Sequence, residues 1–178
     1  SGGNAGIQGF DVNAAYFLKT LAAASGSVVD SDINVYTGSY GYKVITDSGT
    51  GTATGDLTIK GVISGSGSAQ VGGEAISSGL HKWGAGSLKI TNASTYGAGT
   101  SINQGTIILS GGNDRLPVGT SVALGNGSDS GKLILGDSTS AVNQTLVGLQ
   151  TNGSGTANAV VGGNASASIL TVNNTTAV

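Results

Sequence analysis

Histidine occurs once in this chain, at His81, and cysteine not at all. A zinc site draws on several His or Cys ligands, and a Ser-His-Asp triad would have to be assembled around His81 from partners that no spacing identifies. His81 is therefore read as a corner or solvent-facing residue. The nine acidic residues are Asp11, Asp30, Asp32, Asp47, Asp56, Glu74, Asp114, Asp129 and Asp137. Glycoside hydrolysis needs two carboxyl groups at a set separation, and no two of these form a paired motif in sequence. Stacked strands can still bring distant acids together, so a polysaccharide lyase or hydrolase stays as the weakest of three functional readings.

Gly111-Gly112-Asn113-Asp114-Arg115-Leu116 has the look of a calcium-binding glycine-aspartate turn. That mechanism needs tandem copies sharing each ion; here there is one copy, and Arg115 would oppose a cation. A turn with Asp114 or Arg115 in local hydrogen bonds is the expectation. Gly65-Ser66-Gly67-Ser68 lacks the spacing and the lysine of a phosphate-binding loop. Asn92-Ala93-Ser94, Asn143-Gln144-Thr145 and Asn164-Ala165-Ser166 are glycosylation triplets of the kind that an Asn/Ser/Thr-rich chain produces by chance. Trp83, Tyr36, Tyr40, Tyr42 and Tyr96 either form a sugar-stacking platform or close the ends and corners of the fold. No catalytic, cofactor-binding or metal-ligating residue is assigned, and no cofactor is expected.

The elements that would carry any such site follow from composition. The 178 residues include 33 Gly and one Pro, with only 9% charged and 4% aromatic residues. High aliphatic content and a net charge of −2 argue against disorder. Glycine does not fall at every third position, which excludes collagen. With so few aromatics, a thick globular core lacks its bulky anchors, whereas a solenoid needs only a narrow column of aliphatic side chains. The seven Lys and Arg are scattered, so nucleic acid is not an expected partner. No apolar run approaches the ~20 residues of a spanning helix, and membrane insertion by this chain is not expected.

From about Tyr40 onward an aliphatic-x-aliphatic triplet recurs, usually with glycine two residues before it. The copies are Gly55-Asp56-Leu57-Thr58-Ile59, Gly86-Ser87-Leu88-Lys89-Ile90, Gly105-Thr106-Ile107-Ile108-Leu109 and Gly131-Lys132-Leu133-Ile134-Leu135. Val122-Ala123-Leu124 and Leu170-Thr171-Val172 fit without that glycine. Period-two alternation puts both aliphatics of a triplet on one strand face. Such short strands do not pair stably as isolated hairpins, and two-residue Asn-Gly turns are largely missing; Asn126-Gly127 is read as part of a longer loop. Stacked coils of ~20–25 residues with three strands each fit better, giving ~6–7 coils over residues 36–178.

Residues 1–35 differ from the rest and are read as an N-terminal cap or a subunit-joining segment. Within them, Val12 to Ala24 can form a short helix with Asp11 as its N-cap. At the other end, Val172 to Val178 reads as an unfinished coil, either an excerpt of a longer passenger or fibre or an end that docks on another subunit.

The segment Leu80-His81-Lys82-Trp83-Gly84-Ala85-Gly86-Ser87-Leu88-Lys89-Ile90 resembles the autotransporter-associated β-strand repeat, whose pattern is L-x-K-x-G-x-G-x-L-x-L. Thr95-Tyr96, the strand Thr100 to Ile107, Asn113 to Pro117 and Leu133 to Asp137 continue the likeness, which covers about residues 79–178. The resemblance implies a right-handed parallel β-helix, part of the passenger region of a secreted or surface-attached bacterial protein, with no catalytic residues of its own. The leading expectation is thus an extracellular structural stalk or self-associating fibre subunit, not an enzyme; in the case where the end docks on another subunit, copies associate head to tail. The alternative is an adhesin that binds glycans or a cell surface through exposed loops.

Overall fold

The computed structural model describes residues 17–20, 26–34, 42–46, 57–65, 69–71, 74–76 and 79–174. They form eighteen strands and, among the described residues, no helix. The strands fall into successive tiers. The first holds β1 (Phe17–Thr20), β2 (Ser27–Val29) and β3 (Ile33–Asn34). The second holds β4 (Tyr42–Thr46), β5 (Leu57–Ile59) and β6 (Ile63–Ser64), followed by an antiparallel hairpin of β7 (Ala69–Val71) and β8 (Glu74–Ile76). The third has β9 (Leu80–Trp83) and β10 (Ser87–Ile90), and the fourth β11 (Thr100–Ile102) and β12 (Gly105–Leu109). The fifth comprises β13 (Ser121–Leu124), β14 (Gly131–Leu135) and β15 (Gln144–Leu146). The sixth comprises β16 (Gly148–Thr151), β17 (Ala159–Gly162) and β18 (Leu170–Val172).

Like strands of successive tiers pair in parallel. One six-stranded sheet runs β1-β4-β9-β11-β13-β16, and a second runs β2-β5-β10-β12-β14-β17. A third set joins β3 to β6 and β15 to β18. Between those two pairs the backbone of Thr95 donates to Ile63 at 2.8 Å and that of Ser94 to Arg115 at 3.0 Å, so the third column continues without regular strands. The repeat is irregular in length. Register partners lie as close as 19 positions, from Leu88 to Ile107, and as far as 38, from Tyr42 to Leu80, the latter interval containing the β7–β8 hairpin.

In the second sheet Leu57, Leu88, Ile107, Leu133 and Val160 are successive register partners, as are Ile59, Ile90, Leu109 and Leu135. All but Val160 are buried, in one cluster with Leu80, Ile102 and Val122 of the first sheet and Ile63 and Leu146 of the third set. At ~0.8 kcal/mol per buried CH₂, this aliphatic column is the main source of stability. The six triplets therefore divide among three sheets. The four preceded by glycine all lie in the second sheet, Val122-Ala123-Leu124 in the first, and Leu170-Thr171-Val172 in the third set. The glycine has a steric cause. Gly105 has φ +75°, and a Cβ there would stand 2.3 Å from the carbonyl oxygen of Gly84 and 2.4 Å from that of Gly86. Only glycine lets the chain enter β12 against the tier before it.

One expectation is corrected. Phe17–Thr20, inside the span expected to form a helix, is a strand paired with Tyr42–Thr46 over four register positions; the rest of that span lies outside the described residues. A lone helix of that length is marginal in water, while an open parallel edge offers ladder bonds to an apolar segment. Asn126-Gly127 lies, as expected, in a longer loop, the 125–130 connection from β13 to β14, within which Asn126 and Asp129 exchange backbone hydrogen bonds of 3.3 and 2.9 Å. Strands β1 to β3, which precede residue 35, pair with β4 to β6, which follow it.

Candidate functional site

The outer face of the second sheet carries a ladder of its own: Val28, Thr58, Lys89, Ile108, Ile134 and Val161 occupy successive register positions. In the first sheet the corresponding outward positions are His81, Ser101, Ala123 and Gln150, which are mainly polar. From Ile108 to Val161 the second sheet is thus aliphatic on both faces. Ile108 is only 4% exposed although it points away from the core cluster, while Val161 is 40% exposed. Between them runs a groove of about 460 Å³, floored by Ile108, Ile134 and Val161 and walled by Lys89, Asp137 and Gly163.

Asp137 fixes one wall of this groove. Its Oδ2 accepts from the Lys89 ammonium and from the Ser110 hydroxyl, the latter at 2.7 Å. Its Oδ1 accepts from the Thr139 amide at 2.9 Å, the Thr139 hydroxyl at 2.5 Å and the Ser140 amide at 3.3 Å. Partial burial works to raise this carboxyl, but Lys89 and the donors of Thr139 and Ser110 outweigh it and hold it far below the usual carboxylate range. Five donors on two oxygens leave little capacity for a substrate, and so acidic a group is a poor base toward Ser110. Lys89, Ser110 and Asp137 lie on three successive tiers, so the cluster ties the 136–140 loop to the sheet beneath.

A second polar cluster lies inside the core. Lys82 is fully buried, and its Nζ donates to the carbonyls of Trp83 at 2.8 Å, Gly84 at 2.6 Å and Gln104 at 3.0 Å. A buried charge is tolerable only when hydrogen-bonded, and these carbonyls meet the three protons of the ammonium. Nearby, Tyr96 is buried with its hydroxyl 2.6 Å from Thr100 Oγ1, which is 3.1 Å from Thr120 Oγ1. Thr120 gives its single proton to the carbonyls of Ala98 and Ser121, at 3.1 and 3.2 Å. Thr100 must then donate to Thr120, and Tyr96 to Thr100. Burial pushes the Tyr96 hydroxyl well above its ordinary value.

Other residues singled out by sequence are dispersed. His81 and Trp83 alternate with the buried Leu80 and Lys82 and are half-buried on the opposite strand face. Asp32 accepts from the amide of Val62 at 2.7 Å, Asp114 from that of Thr145 at 2.8 Å, and Asp129 from Gln104 Nε2 at 3.0 Å. Asp30 pairs with Lys60 at 3.0 Å on the surface. Arg115 donates to the carbonyls of Asn113 and Thr91, at 2.7 and 3.2 Å. Asn143 bridges tiers, its amide donating to Asn113 Oδ1 at 2.9 Å and its own Oδ1 accepting from Ile169 at 2.8 Å. Asn164 gives its side-chain amide to the Asp137 carbonyl at 2.6 Å. Of the suggested aromatic platform, Tyr96 is buried, and Tyr36, Tyr40 and the side chain of Tyr42 lie outside the described residues, as do Asp11, Asp47 and Asp56.

The outer aliphatic ladder was not anticipated from sequence. Its signal is the middle residue of the triplets: Ile107-Ile108-Leu109 and Leu133-Ile134-Leu135 are unbroken aliphatic runs, the mark of a strand covered on both faces. Compared with protein-family models, with curated proteins and with solved structures, the chain matches none.

Proposed function

We propose that the tiers wind as a right-handed parallel β-helix and that the chain serves as a structural rod, a stalk or self-associating fibre segment at a bacterial surface, and not as an enzyme. The observation that carries this reading is the unbroken parallel register Leu57, Leu88, Ile107, Leu133, Val160 beside its buried companion column. Parallel strands in one sheet need crossover connections, and such crossovers are right-handed in about 98% of cases. The aliphatic column and the carbonyl-bound Lys82 do structural work. The surface location rests on the resemblance of residues 79–178 to passenger repeats, whose Lys and two glycines correspond here to Lys82, Gly84 and Gly86. At ~4.8 Å per tier, six tiers rise ~30 Å. Negative-stain microscopy of the purified chain tests the reading. Particles of one uniform width, single or strung end to end, support it; irregular globules, or release of products from polysaccharides, contradict it.

The groove over Ile108, Ile134 and Val161 favours one second reading, adhesion through the outer face of the second sheet. It calls for saturable binding to a glycan or cell-surface panel that Ile134→Asp weakens. Binding that this substitution leaves unchanged removes the groove from that role.

A further inference from the structure

We infer that the connection between β13 and β14 is a site of self-modification: in the folded chain Asn126 loses its side-chain ammonia through attack by the Gly127 amide, ahead of Asn152 and of the asparagines that bridge tiers. This is a covalent change within one chain and goes beyond the rod reading.

The sequence holds two copies of Asn-Gly-Ser, at 126–128 and 152–154. Asparagine is open to such attack when glycine follows, because the next backbone nitrogen is the nucleophile and glycine has no Cβ to hinder it. The Gly127 nitrogen gives its proton to solvent and bonds to Asn126 Cγ; the Cγ–Nδ2 bond breaks and ammonia leaves. Water then opens the cyclic imide at either carbonyl, leaving an aspartate or an isoaspartate at position 126. Nothing is oxidised or reduced, and the balance is a water taken up for an ammonia released.

Asn126 is exposed, and among the described residues neither its carboxamide nor the Gly127 N–H has a hydrogen-bond partner. Gly127 has φ +57°, and a Cβ there would meet nothing within 4 Å, so ring closure has room. Its cost is the bond from the Asp129 amide to the Asn126 carbonyl, 2.9 Å long. Other carboxamides are held between tiers. Asn113 Oδ1 accepts from the Asn143 amide, Asn143 Oδ1 from that of Ile169, and Asn158 Oδ1 from that of Gly131 at 2.8 Å. Asn164 Nδ2 donates to the Asp137 carbonyl.

The second copy shares the sequence but not the freedom. Gly153 is stacked on Gly127: a Cβ on it would stand 2.3 Å from the Gly127 oxygen and 2.6 Å from its nitrogen. Ser154 gives its amide and its hydroxyl to the Gly127 carbonyl, at 2.6 and 3.2 Å. Swinging the Gly153 nitrogen toward Asn152 Cγ works against these contacts. They reach Gly127 at its carbonyl and leave its nitrogen unengaged.

The test is peptide mapping by mass spectrometry, with aspartate and isoaspartate separated, on the full chain aged in mildly alkaline buffer. The native chain should change at Asn126 at least about threefold faster than at Asn152, and both products should appear. The same chain aged in urea should change at the two positions alike. Gly127→Ala, with unchanged circular dichroism, should slow the reaction at Asn126 at least about tenfold. A native chain that changes first at Asn152, Asn113, Asn143, Asn158 or Asn164, or that stays intact while the unfolded chain reacts, overturns the inference.

Discussion

The Lys82 ammonium donates to the Gln104 carbonyl at 3.0 Å, across 22 positions of sequence and one step of the stack. The same nitrogen donates to Trp83 and Gly84 of its own tier. One side chain therefore pins two corners together from inside the core, where water is not on hand to replace it.

Lys82→Met keeps an apolar stem of similar length but removes all three donors. Buried acceptors left unpaired cost about 1–3 kcal/mol each, so a loss of more than about 2 kcal/mol in urea unfolding is expected. Lys82→Ala should lose more, through the added cavity. A loss below about 1 kcal/mol for Lys82→Met would show that the carbonyls find other partners.

Gly105→Ala forces a side chain onto a left-handed residue and into two carbonyl oxygens. A destabilisation above about 2 kcal/mol is expected. At Gly119 an added Cβ meets nothing within 4 Å, and Gly119→Ala should stay within about 0.5 kcal/mol of the wild type. Equal effects at the two positions in denaturant titrations would remove the steric account of the entry into β12.

Burial lifts Tyr96 above its ordinary value of 10.0. The native chain then keeps this proton at a pH where the unfolded chain has released it. Above pH ~10 the unfolded state binds fewer protons than the native state, so stability falls as pH rises; below that value the contribution is complete. Melting temperatures followed from about pH 8 to 12 should drop more steeply for the wild type than for Tyr96→Phe. Parallel curves would mean that the hydroxyl is not buried as described.

Much of this fold is written in short-range pattern. Glycine two residues before an aliphatic pair marks entry into the second sheet, because the steric demand at Gly105 is local to a corner. Lys82 and Gly84 likewise sit at a fixed offset because one side chain must reach the carbonyls of its own corner. What resisted reading was non-local. Phe17–Thr20 becomes a strand through Tyr42–Thr46, which lies well beyond any helical window. The β7–β8 hairpin lengthens one repeat to 38 positions without disturbing the register on either side. The Asp137 cluster unites Lys89 and Ser110, residues 48 and 27 positions away, and no spacing rule links them. Ile108 and Ile134 did carry a signal, since an aliphatic residue between two others implies cover on both faces.

The central claim is that all three columns stack in parallel with the stated register, and disulfide trapping tests it most directly. The chain contains no cysteine, and parallel neighbours ~4.8 Å apart lie within the Cα range of a disulfide. Three outward pairs sample the three columns: Ala123→Cys with Gln150→Cys, Lys132→Cys with Ala159→Cys, and Thr145→Cys with Thr171→Cys. All three should oxidise readily within one chain, while Ala123→Cys with Ala159→Cys, which joins different sheets, should not. If only one of the three pairs closes, or the cross-sheet control closes as fast, the strands do not stack as described.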